Sequence, residues 1–404
     1  MIGGKNLAPT RSVADFKFDV ERGLPTFYPT PYVHIIRWSK IWGCLPVSYD
    51  KVTSKWATSR SLILWCFCAI GFNIPTFYDC IKTSVLNEKD LTLYVMILIV
   101  GVMSITAVST HSLSILHRNK WVGFLNSWML FEKKFPTISK GVHSTKVMLP
   151  LCFYCCSYVL FFVVNVLNEL RFNIRNNDGV GRMLSLIYVY VIYSFTLSTP
   201  ILWVVMNSKI ISLCLHQIRS QLDHIVECTN FSACCDNTAR KYMVTGDIRR
   251  LQDAVLDIVK LIKRFKAIMG PLMLVIIPHH IISLICFLYW TIVSMLDYSD
   301  WYFPLSFGLL SLQAIAPIFI GAIYSEEVEN KKRSLVEPLI MLKGAMSNEA
   351  ATHKMTTLID HVDRLDAQVE GQGFFTLNKG MATTVVNTVV TYLVVLIQFY
   401  GGSS

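Results

Sequence analysis

Seven apolar stretches, each long enough to cross a bilayer as a helix, alternate with polar segments along the chain. They cover residues 61–81, 91–116, 147–170, 183–206, 267–296, 301–324 and 381–400. A spanning helix needs about 20 predominantly apolar residues, and each stretch supplies them. The pattern therefore predicts an all-α membrane protein with seven transmembrane helices.

The basic residues between these stretches alternate in number. Counted from the N-terminus, the eight gaps hold nine, two, six, three, ten, none, seven and none of the 37 Lys and Arg residues. Because basic residues are retained on the cytoplasmic side of short loops, the gaps that hold 32 of the 37 are expected to be cytosolic. The N-terminus is then inside and the C-terminus outside, which is inverted relative to a seven-helix G-protein-coupled receptor.

The cytosolic gaps also show helical patterning. Apolar residues recur at spacings of three and four from Ile211 to Ile225 and from Ile248 to Phe265, so spans four and five are expected to continue as cytosolic helices. A third amphipathic region runs from Leu335 to Leu365. These helices could form a bundle that holds subunits together, or they could pack only within one chain.

This patterning predicts a division of the chain into five parts. They are a cytosolic N-terminal segment (1–60), helices one to six (61–324) with an outer-half ligand pocket and cytosolic extensions (207–266), cytosolic anchor helices (325–380), a pore-lining helix (381–400) and a short extracellular tail (401–404).

Composition narrows the class of protein. The chain is 53% hydrophobic and 16% charged, which is too apolar for an ordinary soluble domain. Its net charge of +10 is concentrated in the cytosolic gaps, where anionic membrane lipid accounts for it, and no nucleic-acid partner is expected. Residues 1–60 contain no apolar core typical of a cleavable signal peptide.

No arrangement of residues indicates catalysis, so we expect no enzyme and no cofactor. Cys152, Cys155 and Cys156 have a spacing that could bind a soft metal. Free cysteines inside membrane helices usually serve as small apolar packing residues, and we predict no metal site.

The last span carries a polar stripe. Thr384, Asn387, Thr391 and Gln398 fall on one helical face, interrupted on that face by Val394 and Val395. A polar stripe broken by a valine step is typical of a conduction path with a hydrophobic constriction. One stripe cannot surround water, so a pore needs several copies around an axis, most simply four. The alternative is that this face packs on neighbouring helices of the same chain.

Two short motifs connect this helix to a known family. Thr391 and Tyr392, followed by five apolar residues and then Gln398 and Phe399, resemble the sequence that closes insect gustatory receptors. Upstream, Gly373, Phe375 and Asn378 are similar to the Gly, aromatic and Asn pattern that precedes the same helix in that family.

The resemblance implies a tetrameric, tastant-gated, nonselective cation channel in the plasma membrane of chemosensory neurons. It places Gln398 and Phe399 at the gate and leaves Val395 as a secondary lining residue. The partners it implies are a small-molecule tastant, permeant cations, membrane lipid and further copies of this chain, or related receptors in a heteromer.

Outer-half residues that could face a ligand cavity are mostly aromatic, with two amides, a histidine and a serine. They are Tyr94, Asn165, Asn168, Tyr188, Tyr193, His280, Tyr289, Trp290 and Ser306. Such a set suits a sugar or a bitter alkaloid, and carbon dioxide also remains open. The alternative for each residue is an interfacial belt or packing role.

Three functional classes follow from these features: a channel, a G-protein-coupled receptor and a transporter. A ligand-gated channel fits the topology, the stripe and the motifs, and an odorant receptor of the same superfamily is a close alternative. A G-protein-coupled receptor has seven helices in the opposite orientation. A secondary transporter would suit polar residues in mid-membrane, but the chain shows no internal repeat.

Overall fold

The structure is a computed structural model that describes residues 30–71, 91–139, 156, 159, 163, 180–230, 237–297, 301–345, 349–366 and 368–401. Most of these residues are helical. Within them, five helical segments are long and apolar enough to cross a membrane: Ile97–Leu116, Phe195–Glu227, Gly246–Leu296, Tyr302–Gly344 and Lys379–Tyr400.

Ten helices and one strand pair make up this described part of the chain. The helices are α1 Thr30–Ile41, α2 Arg60–Gly71, α3 Leu91–Leu116, α4 Arg118–Lys134, α5 Pro136–Ser139, α6 Val180–Asn230, α7 Asn237–Asp297, α8 Tyr302–Ala345, α9 Glu349–Asp363 and α10 Lys379–Gly401. The strands are β1 Val47–Asp50 and β2 Lys55–Thr58. The second half of the predicted first span and most of the third, 147–170, lie outside the described residues.

The three longest helices, α6, α7 and α8, extend well beyond a membrane thickness. α6 continues without a break through the periodic region that begins at Ile211, and α7 contains the periodic region that ends at Phe265. The side chains of Ile211 and Phe265 are buried. α8 packs against both helices and forms the centre of the fold. The region predicted as one amphipathic segment, from Leu335 to Leu365, is divided between the end of α8 and α9.

A short antiparallel hairpin, which the sequence patterning does not predict, packs on α4. Its strands pair Val47 with Thr58 and Asp50 with Lys55. The side-chain amide of Asn126 on α4 accepts a hydrogen bond from the Trp56 backbone N–H at 2.8 Å and donates one to the Trp56 carbonyl at 3.1 Å. The alternation is only four residues long in each strand, too short to distinguish from a loop by pattern.

A carboxylic acid is enclosed where α4 meets α6. Glu132 is 5% exposed, and within the described part of the chain neither of its oxygens makes a hydrogen bond of good geometry. Burial raises the pKa of Glu132 to about 9, and the nearby Trp128 indole opposes this only in part. Glu132 therefore remains protonated at neutral pH, which lets it lie beside the buried Cys214 without a counter-ion.

Candidate functional site

The last helix, α10, begins at a polar cap. The Asn378 side-chain oxygen accepts a hydrogen bond from the Met381 backbone N–H at 2.8 Å, and the Asn378 carbonyl accepts one from the Ala382 N–H at 3.1 Å. This is the geometry of an N-cap, which satisfies donors that the first helical turn leaves free. The Asn of the upstream motif thus fixes where α10 starts.

The loop before this cap, residues 369–377, is closed by its own backbone. Gly371 and Phe375 are joined by an N–H to carbonyl bond at 2.9 Å, and the Leu377 N–H bonds to the Val369 carbonyl at 2.8 Å. Gly373 has φ +83°, a conformation that favours glycine. A Cβ at Gly371 would lie 2.4 Å from the Phe375 ring, so the aromatic ring covers this glycine directly.

This loop is also tied to α7. Lys266 donates to the carboxylate of Asp366 and, at 3.1 Å, to Glu370 Oε1. Partial burial raises the pKa of Asp366, but the Lys266 ammonium group outweighs this effect and holds the pKa below its usual value. One turn after Lys266, a Cβ at Gly270 would lie 3.3 Å from the Glu370 carbonyl oxygen, so α7 and the loop backbone are in close contact.

Two opposite faces distinguish α10. Ala382, Val385 and Val389 are buried and form the face that packs against α7 and α8. The opposite face is exposed and carries the predicted lining residues: Thr384, Asn387, Thr391, Val394, Val395 and Gln398. Phe399 and Tyr392 are also exposed, at 68% and 58%. The stripe predicted from the sequence is therefore a real surface of the folded chain.

The polar groups of this stripe differ in how they are satisfied. The hydroxyls of Thr384 and Thr391 donate to the carbonyls of Gly380 and Asn387 at 3.0 and 2.9 Å, so they need no outside acceptor. The amides of Asn387 and Gln398 are exposed, and neither bonds to any residue that the structure describes. These two amides therefore need water or another chain.

At the other end of α10, one aromatic contact joins it to α7, and a second joins α7 to α8. Tyr400 meets the fully buried Tyr289 of α7 edge to face, with ring centroids 6.4 Å apart. The next residue of α7, Trp290, stacks on Phe307 of α8 with centroids 5.3 Å apart. Ser306 is buried beside Phe307. The structure thus brings three of the candidate ligand residues together at the Tyr289 end of the bundle.

The remaining candidates are placed elsewhere or are not described. His280 is buried in mid-α7, its ring 5.3 Å from that of His279, which in turn lies 3.5 Å from the Ser283 hydroxyl. Tyr94 of α3 is 64% exposed. Asn165 and Asn168 lie outside the described residues, as do the side chains of Tyr188 and Tyr193.

The structure describes only one member of the candidate cysteine cluster. Cys152 and Cys155 lie outside the described residues, and Cys156 is exposed on a helical turn. Among the residues that the structure does describe, no group of three or more His, Cys, Asp or Glu side chains could hold a metal ion.

Sequence reasoning overlooked the contacts that hold the loop before α10. Lys266 lies about 100 residues before Asp366 and Glu370 and shares no motif with them, so only the fold brings it to these two carboxylates. Gly371 was overlooked as well, although its position two residues before Gly373 in a short aromatic segment was an available signal.

Comparison with known proteins agrees with this architecture. The fold is similar to that of the insect olfactory receptor OR5 from Machilis hrabei, with a TM-score of 0.69 and 10% sequence identity over 91% of this chain and 97% of that chain. It is also similar to the same receptor in complex with eugenol, with a TM-score of 0.64, 12% identity and the same coverage. No curated protein sequence matches the chain significantly.

A sequence family described as 7tm Chemosensory receptor matches residues 35–400, which is nearly the whole chain. The motifs around α10, the apolar helices and this match agree. The chain belongs to the 7tm chemosensory receptor family.

Proposed function

We propose that this protein is a gustatory receptor that acts as a tastant-gated, nonselective cation channel. Four copies surround a central pore lined by α10, with Gln398 and Phe399 at the gate and Val395 beside them. The N-terminus is cytosolic and the C-terminus extracellular, as the distribution of 32 of the 37 basic residues favours.

The observation that carries this proposal is the exposure of α10. In its most apolar stretch 17% of the residues are buried, against 78% in the corresponding stretch of α6. Lipid would cover the apolar part of this surface without cost. It would not suit the amides of Asn387 and Gln398, because a polar group without a hydrogen-bond partner in hydrocarbon costs several kcal/mol.

Several copies of the chain remove this cost. If the stripes of neighbouring copies face one axis, the amides meet water in a shared pore while the Ala382 to Val389 face stays packed on α7 and α8. The exposed Val394 and Val395 then form an apolar ring between polar ones, and such rings gate channels by excluding water.

The ligand is expected to bind near the Tyr289 end of the bundle. Trp290 and Phe307 offer stacked aromatic surfaces, Ser306 a hydroxyl, and Tyr289 touches Tyr400 next to the proposed gate. A ligand that moves Trp290 would therefore act on α10 through one intervening ring contact. Aromatic walls with few polar groups suit a bitter compound or a sugar ring.

An olfactory function is the second candidate. It is favoured by the structural similarity to the olfactory receptor OR5, including its complex with eugenol. The Thr391, Tyr392, Gln398 and Phe399 ending favours the gustatory function instead.

Expressing the chain alone in oocytes tests the proposal. Whole-cell current is recorded while sugars, bitter compounds, carbon dioxide and eugenol are applied, with Gln398→Ala and Leu312→Ala as variants of matched surface abundance. Leu312 is exposed on α8 and not on α10, so it controls for an altered apolar surface outside the proposed pore helix.

A sugar or bitter compound that evokes a current reversing near zero, altered by Gln398→Ala and not by Leu312→Ala, supports the gustatory channel. A response to eugenol alone favours the olfactory alternative. Surface-expressed tetramers that carry no current under any stimulus or at rest contradict channel function in the homomer.

A further inference from the structure

Three consecutive residues of α8 each contact a different element. The Ser325 hydroxyl oxygen accepts a hydrogen bond from the Val369 backbone N–H of the loop at 3.4 Å. Glu326 Oε2 lies 3.0 Å from Lys379 Nζ, at the first residue of α10. The third residue, Glu327, contacts α6. One turn of α8 thus reaches α6, the loop and α10.

The contact of Glu327 with α6 is the more enclosed of the two ion pairs on this turn. Its Oε1 accepts a hydrogen bond from Lys209 Nζ at 2.8 Å and another from the Ser212 hydroxyl at 2.9 Å. The side chains of Lys209 and Glu327 are 20% and 30% exposed, so this ion pair is partly shielded from water. Lys209 also lies over the Tyr324 ring of α8, 5.7 Å from its centre. α6 and α8 are therefore joined firmly at this level.

Steric contact also holds the loop against the preceding turn of α8. A Cβ at Gly321 would lie 2.8 Å from Leu377 Cδ2. Leu377 therefore packs closely on α8 because residue 321 is a glycine without a side chain. Leu377 itself is fully buried, and it directly precedes the Asn378 cap of α10. The start of α10 cannot shift far without breaking the contact of Leu377 with α8.

α8 also extends to the aromatic contacts at the opposite end of α10. Phe307, which stacks on Trp290, and Glu326 lie on this one helix, about 30 Å apart at the rise of an α-helix. The helix continues through Pro317, which removes one backbone hydrogen bond between them. A displacement at Phe307 can therefore reach residue 326 through a single helix.

We propose that Ser325, Glu326 and Glu327 form a coupling junction through which α8, braced on α6, sets the position of α10. These are positioning residues, since they act on the exposed stripe through Lys379 and Leu377. The inference rests on the proposed function only in taking α10 as the pore helix.

Charge reversal tests the junction. Glu326→Lys and Lys379→Glu each place like charges side by side, and the double variant restores an attractive pair with exchanged signs. The basal cation current, normalised to surface protein, is expected to change by about two- to five-fold in each single variant, the range that a partly exposed ion pair allows. It is expected to return to within about two-fold of the parent in the double variant.

A matched control comes from another interhelical ion pair. Lys134 of α4 and Asp257 of α7 lie 3.1 Å apart, on two helices other than α8 and α10. Reversing either charge is expected to leave the normalised current unchanged. Equal effects at this control pair, or single variants at Glu326 and Lys379 without effect, would overturn the junction.

A second readout needs no current. Thr384 lies on the exposed face of α10, just over a turn after Lys379. In a Thr384→Cys background, the rate of labelling with a charged maleimide is measured on purified protein. The chain without this substitution gives the background labelling of the native cysteines. The rate is expected to change in both single reversals and to recover in the double variant. If the labelling rate recovers in the double variant but the protein conducts no ions, the result contradicts the channel and supports the junction. If labelling and current are unchanged in all variants, the result contradicts the junction alone.

Discussion

Replacing Glu132 with Gln should stabilise this protein, and the gain should grow with pH. The carboxyl is 5% exposed and its pKa is raised by burial to about 9, from 4.5 in an ordinary setting. The folded chain therefore binds a proton that the unfolded chain releases above pH 4.5. Stability is lost on this account as the pH rises from 4.5 to 9, and glutamine, which does not ionise, avoids the loss.

The magnitude follows from that interval. Each pH unit within it costs about 1.4 kcal/mol, so the loss at neutral pH is about 3 kcal/mol. In a chain of this length about 1 kcal/mol shifts the melting temperature by roughly 1–2 °C. Glu132→Gln is expected to raise the melting temperature by roughly 3–6 °C at pH 7, by less at pH 6 and by more at pH 8.

The assay is thermal unfolding of the purified protein, followed by intrinsic fluorescence at pH 6, 7 and 8. Glu337→Gln, at an exposed position of α8, makes the same chemical change without burial, and it should produce no gap that widens with pH. A constant difference between parent and Glu132→Gln across this range would refute the reasoning. A destabilised Glu132→Gln would indicate an ionised carboxylate with a partner in the fold.

Three further substitutions have expected outcomes that the same unfolding assay checks. Asn378→Ala removes the cap of α10 and should cost about 1 kcal/mol, while Asn378→Asp, which keeps the accepting oxygen, should lose much less; equal losses would contradict the cap. Gly371→Ala drives a methyl group to 2.4 Å from the Phe375 ring and should cost about 1–3 kcal/mol, with Phe375→Leu in the same chain recovering part of it. Asn126→Ala breaks both bonds to Trp56 and should cost about 1–3 kcal/mol and speed proteolysis within residues 47–58; unchanged cleavage there would show that the hairpin does not depend on this amide.

The sequence predicts the longest helices of this fold because their signal is long. Apolar stretches of about 20 residues and the regular spacing from Ile248 to Phe265 extend over many turns, so chance patterns are averaged out. The hairpin lacks such a signal, since each strand has four residues and its hydrogen-bond partner Asn126 lies about 70 positions later. α4 carried a readable pattern in Trp121, Leu125 and Trp128, which recur at spacings of three and four and are all buried.

The candidate site also has a part that the sequence predicts and a part that it does not. The exposed stripe of α10 could be derived from spacing alone, because one helix carries all its residues. The ligand residues could not be grouped from sequence: Tyr289 and Trp290 are neighbours on α7, yet one packs on Tyr400 and the other on Phe307. Ion pairs such as Glu326 with Lys379 depend on how two helices, distant in sequence, pack together, which no local pattern encodes.

The central claim, that α10 lines a shared pore, is tested most directly by modifying position 398 during recording. Gln398→Cys and Leu312→Cys channels are treated with a positively charged methanethiosulfonate reagent, and labelling at each position is verified on recovered protein. The account predicts that modification at 398 sharply reduces the cation current, whereas modification at 312, on the exposed surface of α8, leaves it unchanged. Full labelling at 398 with an undiminished current would contradict a pore lined by α10.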